Sequence, residues 1–123
     1  MINKAILVGN IGKEPELKKI GETNYCAFTL ATNKSYKDRN GEWQTKTEWH
    51  NIVVWRNQAE YATNNFKKGN TVYVEGEITS RSWEDNQGNK RYTTEIVAEK
   101  VKLMEKKTRQ EVEEDSSDDL PFN

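Results

Sequence analysis

Cysteine and histidine are almost absent from this sequence of 123 residues, which contains one of each. A lone cysteine cannot form an internal disulfide, and one cysteine with one histidine cannot supply the ligands of a structural zinc site. No apolar run approaches the length of a membrane span, and no basic segment followed by an apolar stretch opens the chain. We therefore expect a soluble cytoplasmic protein with no metal, no cofactor and no membrane partner.

The sequence also lacks the residue patterns of enzyme active sites. No paired carboxylates, nucleophile with a base, phosphate loop or metal-ligand spacing is present. The single histidine, His50, has the parity of core-facing residues in its strand, which favours a structural role over a catalytic one. An enzyme is therefore the function class that the sequence favours least.

Apolar residues are scarce for a chain of one-domain length. They make up 33% of the sequence against 32% charged residues, which is thin for an isolated core. Part of the burial is therefore expected between subunits, which predicts a homo-oligomer. Cys26 alternates with Phe28 and Leu30, so we expect it to be a small buried residue.

Positive and negative charges lie in different parts of the chain, although the net charge is only −1. Residues 1–107 carry 18 Lys/Arg and 14 Asp/Glu, a balance of +4, whereas residues 108–123 carry 1 and 6, a balance of −5. This asymmetry is typical of a nucleic-acid-binding domain with an acidic tail, and it also fits an ordinary solvated tail. We expect a folded domain over 1–107 and a disordered tail over 108–123.

Alternating apolar residues predict five strands. The predicted segments are Asn3 to Gly9, Asn24 to Asn33, Thr45 to Trp55, Val72 to Trp83 and Arg91 to Met104. Asn10, Gly12 and Pro15 are expected to end the first strand. Asn40-Gly41 marks one hairpin tip, and residues 85–89 form a second turn.

One short helix is predicted between the third and fourth strands. Asn57 and Glu60 provide the polar cap and the acid three positions later that open a helix. Ala59, Ala62 and Phe66 follow at helical spacing. Five strands with a helix in this place is the element order of the OB-fold, a partly open Greek-key barrel that often binds oligonucleotides. The predicted class is therefore all-β.

Three of the four tryptophans are predicted to point away from the core. Trp49 and Trp55 have the parity opposite to that of Ile52, so both indoles lie on one outer face if Ile52 is buried. Trp83 has the parity opposite to that of Ile78, which we also expect in the core. Exposed apolar surface costs roughly 25 cal/mol per Å², so a partner is expected to cover these rings.

Basic residues flank the aromatic strands or lie on the hairpins that join them. These candidate phosphate contacts are Lys4, Lys34, Lys37, Arg39, Arg56, Arg81, Lys90 and Arg91. Stacking a base on an aromatic ring is worth roughly 1–3 kcal/mol whatever the sequence, and phosphates need nearby cations. The pattern predicts sequence-tolerant binding of single-stranded DNA. The alternative is that the indoles pack against neighbouring subunits or under folded-back hairpins.

Four segments resemble the bacterial single-stranded DNA-binding protein (SSB) family in order and spacing. They are residues 3–10, 47–55, 68–76 and 91–95. The resemblance implies an OB-fold that assembles into a homotetramer around which single strands wrap. It also implies a non-enzymatic role in DNA replication, recombination and repair, and hence association with the nucleoid.

The resemblance assigns roles to several positions. Trp49, Trp55 and Trp83 fall where the family stacks bases, and Tyr36 lies where a further stacking aromatic is usual. Phosphate-contacting positions are matched by Lys4, Arg39 and Arg81. His50 falls at the contact between subunits.

The end of the chain resembles the acidic tip by which the family docks onto replication and repair proteins. The matching residues are Asp118, Asp119, Leu120, Pro121 and Phe122. Acidic residues steer toward a basic rim while Phe122 fills an apolar pocket. Two features depart from the family: the preceding tail is short and acidic, and Asn123 follows Phe122. The alternative is a merely solubilising end.

Two other binding functions fit the same pattern. An OB-fold adaptor subunit would use the exposed aromatics to contact protein, with only incidental affinity for DNA. An RNA-preferring OB protein would differ only in recognising the 2′-OH, for which the sequence contains no motif.

Overall fold

Each of the five predicted strands is present, and each is longer than the alternation indicated. The computed structural model describes residues 1–106. Its elements are β1 (Ala5–Ile20), β2 (Thr23–Lys37), β3 (Trp43–Trp55), α1 (Arg56–Asn65), β4 (Thr71–Glu84) and β5 (Lys90–Glu105). The predicted order of strands and helix is confirmed.

The strands form a closed barrel in the order β1-β2-β3-β5-β4. β1 pairs antiparallel with both β2 and β4, so it joins the two sides of the barrel. β3 pairs in parallel with β5 at Ile52–Ile96 and Val53–Val97. This is the Greek-key topology of the OB-fold, as predicted, although the barrel is closed and not partly open.

The predicted end of the first strand at Asn10, Gly12 and Pro15 is wrong. β1 continues to Ile20, with register shifts between Ile11 and Lys13 and between Lys13 and Glu16. Such irregularities bend a strand without ending it, which lets residues 5–10 pair with β4 while residues 10–20 pair with β2. Turn-forming residues therefore mark bends within one long strand.

The inward-facing residues of β2, β3 and β4 form the core as their parity predicted. Cys26, Leu30, Ile52, Val54 and Val74 are fully buried. Burial raises the pKa of the Cys26 thiol, consistent with its predicted role as a small core residue.

Ile78 is an exception to the predicted core. Its side chain is 47% exposed. The ladder between β1 and β4 ends at Gly76, so β4 has lost one neighbouring strand by the time it reaches Ile78. The alternation is correct there, but the barrel no longer covers that face.

The helix begins two residues earlier than the predicted cap implies. α1 starts at Arg56, the N-cap position is Trp55 with no side-chain cap hydrogen bond, and the first turn contains no acid. The predicted cap at Asn57 with Glu60 is therefore wrong. Arg56 has a left-handed φ of 59°, which reverses the chain directly after β3 at a cost of roughly 1 kcal/mol.

The helix closes one end of the barrel with its apolar side. Ala59 and Ala62 are fully buried, and Phe66 packs edge-on against Phe28 with ring centroids 5.7 Å apart. The Gln58 side chain also joins the helix to β5, because its amide donates to the Glu99 carbonyl at 2.6 Å. Within residues 1–106 no helix is long and apolar enough to cross a membrane.

Two long hairpins extend beyond the barrel and frame the surface described below. The β2–β3 hairpin comprises residues 31–49, and the β4–β5 hairpin comprises residues 78–96. Gly41 and Gly88 occupy their tips with φ angles of 80° and 79°, a conformation that glycine adopts without strain. Both predicted turns are confirmed.

Candidate nucleic-acid interface

The outer face of β3 carries two exposed indoles. Ile52 and Val54 are fully buried, so alternation turns Trp49 and Trp55 outward on the same face. Trp49 is 61% exposed and Trp55 is 36% exposed. The predicted parity of β3 is confirmed.

Neighbouring strands hold both rings in place. Trp55 packs against Tyr25, its cross-strand neighbour on β2, with ring centroids 5.1 Å apart. Trp49 lies against Gly12 so closely that a Cβ there would stand 2.3 Å from its Cζ3 atom. Because the rings are already positioned in the free protein, little ordering remains to be done when a ligand stacks on them.

A groove runs between these indoles across the barrel surface. Its floor includes Asn51 and Val53 of β3. Lys13 and Lys18 of β1 line one side, and the β4–β5 hairpin contributes Arg81. A second concavity continues past Trp49 toward Ile78 and Ile96. Three carboxylates, Glu14, Glu16 and Glu95, line the same groove. The surface therefore combines flat aromatic rings with a groove whose walls carry both cations and carboxylates.

Trp83 extends the aromatic surface onto the β4–β5 hairpin. It is 46% exposed, and its indole N–H donates to the Thr93 hydroxyl at 3.0 Å. It shares the strand face of Arg81, which lines the groove. Trp49, Trp55 and Trp83 therefore belong to one continuous surface.

Tyr36 is the one predicted stacking residue on a different face. It pairs with Gln44, one position out of phase with Trp49, so it projects from the other side of the β2–β3 hairpin. It is 45% exposed. The single chain does not bring Tyr36 together with the three indoles.

Three of the predicted phosphate contacts are held by carboxylates. Arg81 Nε lies 3.2 Å from Glu95, and Arg91 Nε lies 3.0 Å from Asp85. A carboxylate already neutralises each of these cations, so the net electrostatic gain from a phosphate contact is reduced.

Lys4 lies outside the groove and forms the third of these ion pairs. It precedes β1, and its ammonium stands 3.0 Å from Glu75 on the neighbouring β4. Hydrogen bonds from Tyr73 and then from Lys4 lower the pKa of Glu75, while Glu75 raises the pKa of Lys4. This network lies on the outer face of β1 and β4, which the groove does not reach.

The remaining predicted cations, namely Lys34, Lys37, Arg39, Arg56 and Lys90, form no ion pair among residues 1–106. Arg56 follows Trp55 directly. The other four lie on the two hairpins or at their ends. Lys34 stands directly across from Lys46, an arrangement of like charges that is unfavourable unless an anion lies nearby.

Several residues of this surface were not predicted from the sequence. Lys13 and Lys18 were missed because the first strand was expected to end before them. Lys46, which lies with Lys34 on the Tyr36 face of the β2–β3 hairpin, was also missed although the hairpin tip at Asn40-Gly41 would have paired it with Lys34. Gly12 was assigned to a turn, and nothing in the sequence pairs it with Trp49.

His50 has the inward parity predicted for it. It is half-buried, and its Nε2 atom lies 2.9 Å from the Thr32 hydroxyl oxygen. Its place at a subunit contact stays a prediction. In the part of the chain that the structure covers, no group of three or more His, Cys, Asp or Glu side chains could hold a metal ion.

The predicted tail and its tip lie outside the described residues. This applies to residues 108–123 and to the docking residues Asp118, Asp119, Leu120, Pro121 and Phe122.

Comparisons with known proteins bear on this surface. Residues 2–104 match the single-strand binding protein family. Single-stranded DNA-binding protein 1 of Chlorobaculum tepidum is 41% identical over 105 residues, which cover 84% of this chain and 65% of that protein. The chain thus spans about two thirds of that relative's length. The structure is similar, with a TM-score of 0.75 and 35% identity, to Plasmodium falciparum SSB in a complex with single-stranded DNA, covering 85% of this chain and 95% of that one.

Proposed function

The chain belongs to the single-strand binding protein family, and from this premise we propose that it binds single-stranded DNA with little regard to sequence. The family resemblance predicted from four short segments is thereby confirmed. Membership in a family of binding proteins also agrees with the prediction that the chain is not an enzyme. The proposed role is to coat and protect unpaired strands during replication, recombination and repair.

The observation that carries this proposal is the pair of outward indoles on β3 at the edges of a groove whose lining includes three cations. Trp49 and Trp55 offer faces on which any base can stack. Lys13, Lys18 and Arg81 line the same groove, and their positive charges support contact with the sugar-phosphate backbone. Since neither stacking nor phosphate contact depends on base identity, the surface supports sequence-tolerant binding.

Tryptophan fluorescence provides the direct test. Adding oligo(dT) is expected to quench the emission because bases stack on the indoles, and the affinity is expected to fall as salt rises. Duplex DNA of the same length is expected to bind poorly, since its bases are already stacked on one another. Absence of both quenching and binding at low salt would show the proposal to be wrong.

A variant at Trp55 separates DNA binding from an adaptor function. Trp55→Ala is expected to weaken binding to oligo(dT) by roughly 1–3 kcal/mol while leaving the assembly's mass unchanged. An adaptor whose aromatics contact protein would show the opposite result, with altered assembly and unaltered DNA affinity. RNA preference is tested by competition between poly(dT) and poly(U), in which poly(dT) is expected to win.

The proposal includes a homo-oligomer, with a tetramer expected from the family. Ile6 and Val8 lie on the outer face of β1 with side chains 58% and 52% exposed. This face lies beside Lys4 and Glu75 and away from the groove, so a second copy could cover it without blocking DNA. Mass measurement in solution is expected to show the tetramer, and an Ile6→Asp, Val8→Asp double variant is expected to reduce the mass.

The acidic tip is proposed to recruit replication and repair proteins. Phe122→Ala is expected to abolish their capture while leaving the affinity for oligo(dT) unchanged, because a single apolar anchor often dominates such an interface. Equal capture by the variant and the wild-type chain would contradict this role.

A further inference from the structure

Trp43 continues the row of indoles on β3. Trp43, Trp49 and Trp55 follow one another at intervals of six residues, so all three share the outer face of one strand. The register between β2 and β3 runs without a shift from Tyr25–Trp55 to Lys37–Trp43, so this face is continuous. At about 3.3 Å per residue, neighbouring indoles of the row are about 20 Å apart.

Trp43 has little protein around it. Its side chain is 70% exposed, the highest value among the tryptophans. A large apolar ring in this position contributes little stability within the single chain, because most of its apolar surface stays in water. Its environment therefore indicates a partner.

The charges along the hairpin favour a polyanion on this face. Between Trp43 and Trp49 the outward residues of β3 are Thr45 and Thr47. Glu48 has the opposite parity and pairs with Thr32 on the other side of the hairpin. A phosphate backbone that passes from Trp49 to Trp43 therefore meets no outward carboxylate between them on either strand.

Lys37 supplies the cation at the far end of the row. Its ammonium lies 5.7 Å from the centroid of the Trp43 ring, in a cation–π contact. With Lys37 on one face, a base can stack on the other face while the ammonium remains close to the adjoining phosphates. One aromatic face and one cation are the two elements of a non-specific nucleotide site.

We propose that Trp43 with Lys37 forms an additional nucleotide-binding site, which extends the path of single-stranded DNA from Trp49 along the outer face of the β2–β3 hairpin. This inference rests on the proposed function. It adds a site about 20 Å beyond the two indoles of the groove. A second protein subunit is the competing occupant.

The test compares the full chain with its Trp43→Ala variant on labelled oligo(dT) of two lengths. An oligomer of about six nucleotides fits on Trp49 and Trp55, whereas one of about sixteen can reach Trp43 as well. Trp43→Ala is expected to weaken binding of the longer oligomer about tenfold and that of the shorter less than about twofold. Trp43→Phe retains a stacking face and is expected to restore most of the affinity for the longer oligomer.

Tyr92 provides the matched control. It is 69% exposed, and its ring has Lys90 at the same distance of 5.7 Å. It pairs with Ser82 and therefore projects from the face of the β4–β5 hairpin opposite to Trp83. Tyr92→Ala is expected to change the affinity for either oligomer less than about twofold.

Each contrary result has a distinct meaning. The inference is wrong if Trp43→Ala binds the longer oligomer as the wild type does, or if Tyr92→Ala loses as much affinity. A change in the mass of the Trp43→Ala assembly would assign the ring to a subunit contact and overturn the DNA site. Failure of the wild-type chain to bind either oligomer would instead refute the proposed function itself. Unchanged thermal unfolding confirms that each variant is folded.

Discussion

The β2–β3 and β4–β5 hairpins end in the same loop but have different charge arrangements. In both, an aspartate closes the tip: Asp38 accepts backbone N–H groups from residues 40 and 42, and Asp85 accepts those from residues 87 and 89, all at 2.9–3.0 Å. Glycine follows three positions after each aspartate and donates back to its carbonyl at 3.1 Å. The two loops therefore share the same pattern of hydrogen bonds.

The arms of the hairpins differ in how their cations are used. On β4–β5, Arg81 and Arg91 are held by Glu95 and by the loop aspartate itself. On β2–β3 the loop aspartate Asp38 accepts instead from the neutral amide of Gln44. Lys34, Lys37 and Arg39 on that hairpin form no ion pair within residues 1–106.

This difference indicates separate roles for two similar hairpins. Backbone hydrogen bonds of a five-residue loop set the turn, whereas the arm residues set the net charge that a ligand meets. The β2–β3 hairpin offers cations with no anion to displace, together with Trp43 on one face and Tyr36 on the other. The β4–β5 hairpin presents Trp83 with its charges largely neutralised within the hairpin.

The largest expected effect comes from neutralising the β2–β3 hairpin. Lys37 and Arg39 changed together to Gln should weaken oligo(dT) binding roughly 10- to 100-fold and lower the salt slope by about 1.4, since each phosphate contact contributes about 0.7 on a single strand. The matched double variant, Arg81→Gln with Arg91→Gln, should change the slope much less. Titrations at several salt concentrations measure the affinity and the salt slope of each variant. Equal slope changes per charge removed would show that the cations of the two hairpins do not differ in their contacts with phosphate.

The second prediction concerns how the indoles near each hairpin are held. Gly12→Ala places a methyl group 2.3 Å from Trp49 Cζ3, so the ring must move, and we expect about a tenfold loss of DNA affinity. Thr93→Val removes only the hydroxyl that accepts the Trp83 N–H, and should cost about two- to threefold. Fluorescence titration of both variants measures the two losses of affinity. A larger loss for Thr93→Val than for Gly12→Ala would contradict the prediction.

A third change should make the β4–β5 hairpin resemble its counterpart. Glu95→Gln removes the carboxylate beside Arg81 while keeping a polar side chain of similar size, and should free the guanidinium for phosphate. We expect about a threefold gain in affinity and a salt slope larger by about 0.7. Unchanged affinity would mean that Arg81 is not a phosphate contact, and Arg81→Gln in the same background is the control.

The smallest expected effect is the pH response of the two tips. Backbone N–H groups lower the pKa of Asp38 and of Asp85 below the ordinary value of 3.8, so each carboxylate stabilises its tip at pH above that value. This stabilisation should be lost as the pH falls through each lowered pKa, without unfolding the barrel. NMR titration should also show that salt raises the pKa of Asp85 more than that of Asp38, because only Asp85 has a charged side-chain partner, Arg91. Equal sensitivity to salt would remove this contrast.

The alternation of residues was enough to predict the strands, their order and the outward direction of three indoles. Side-chain parity along an extended strand is a local property, so it survived every error in the predicted strand ends. The same rule predicted that Ile78 shares the inward face of β4, but it could not show that the ladder to β1 ends before that residue. Parity predicts the face on which a side chain lies, whereas burial also requires a neighbouring strand that covers that face.

The long first strand and the start of the helix could not be predicted from local patterns. Gly12 and Pro15 are turn-forming residues in isolation, yet pairing with β2 and β4 keeps β1 extended through both. Asn57 and Glu60 fit a helix cap, but the chain has already turned at Arg56, which has a left-handed conformation directly after β3. In each case contacts distant in sequence outweighed a local preference.

The sequence by itself determined the order of strands and helix along the chain and which side chains face outward, because these follow from the two-residue period of β-strands and from turn residues at hairpin tips. Only the tertiary structure decided which cations are paired and what supports each indole. Lys4 meets Glu75 across 71 positions of the chain, and Trp49 lies on Gly12 across two strands. Such partners are chosen by strand register and barrel closure, which depend on the whole fold and on no short segment of it.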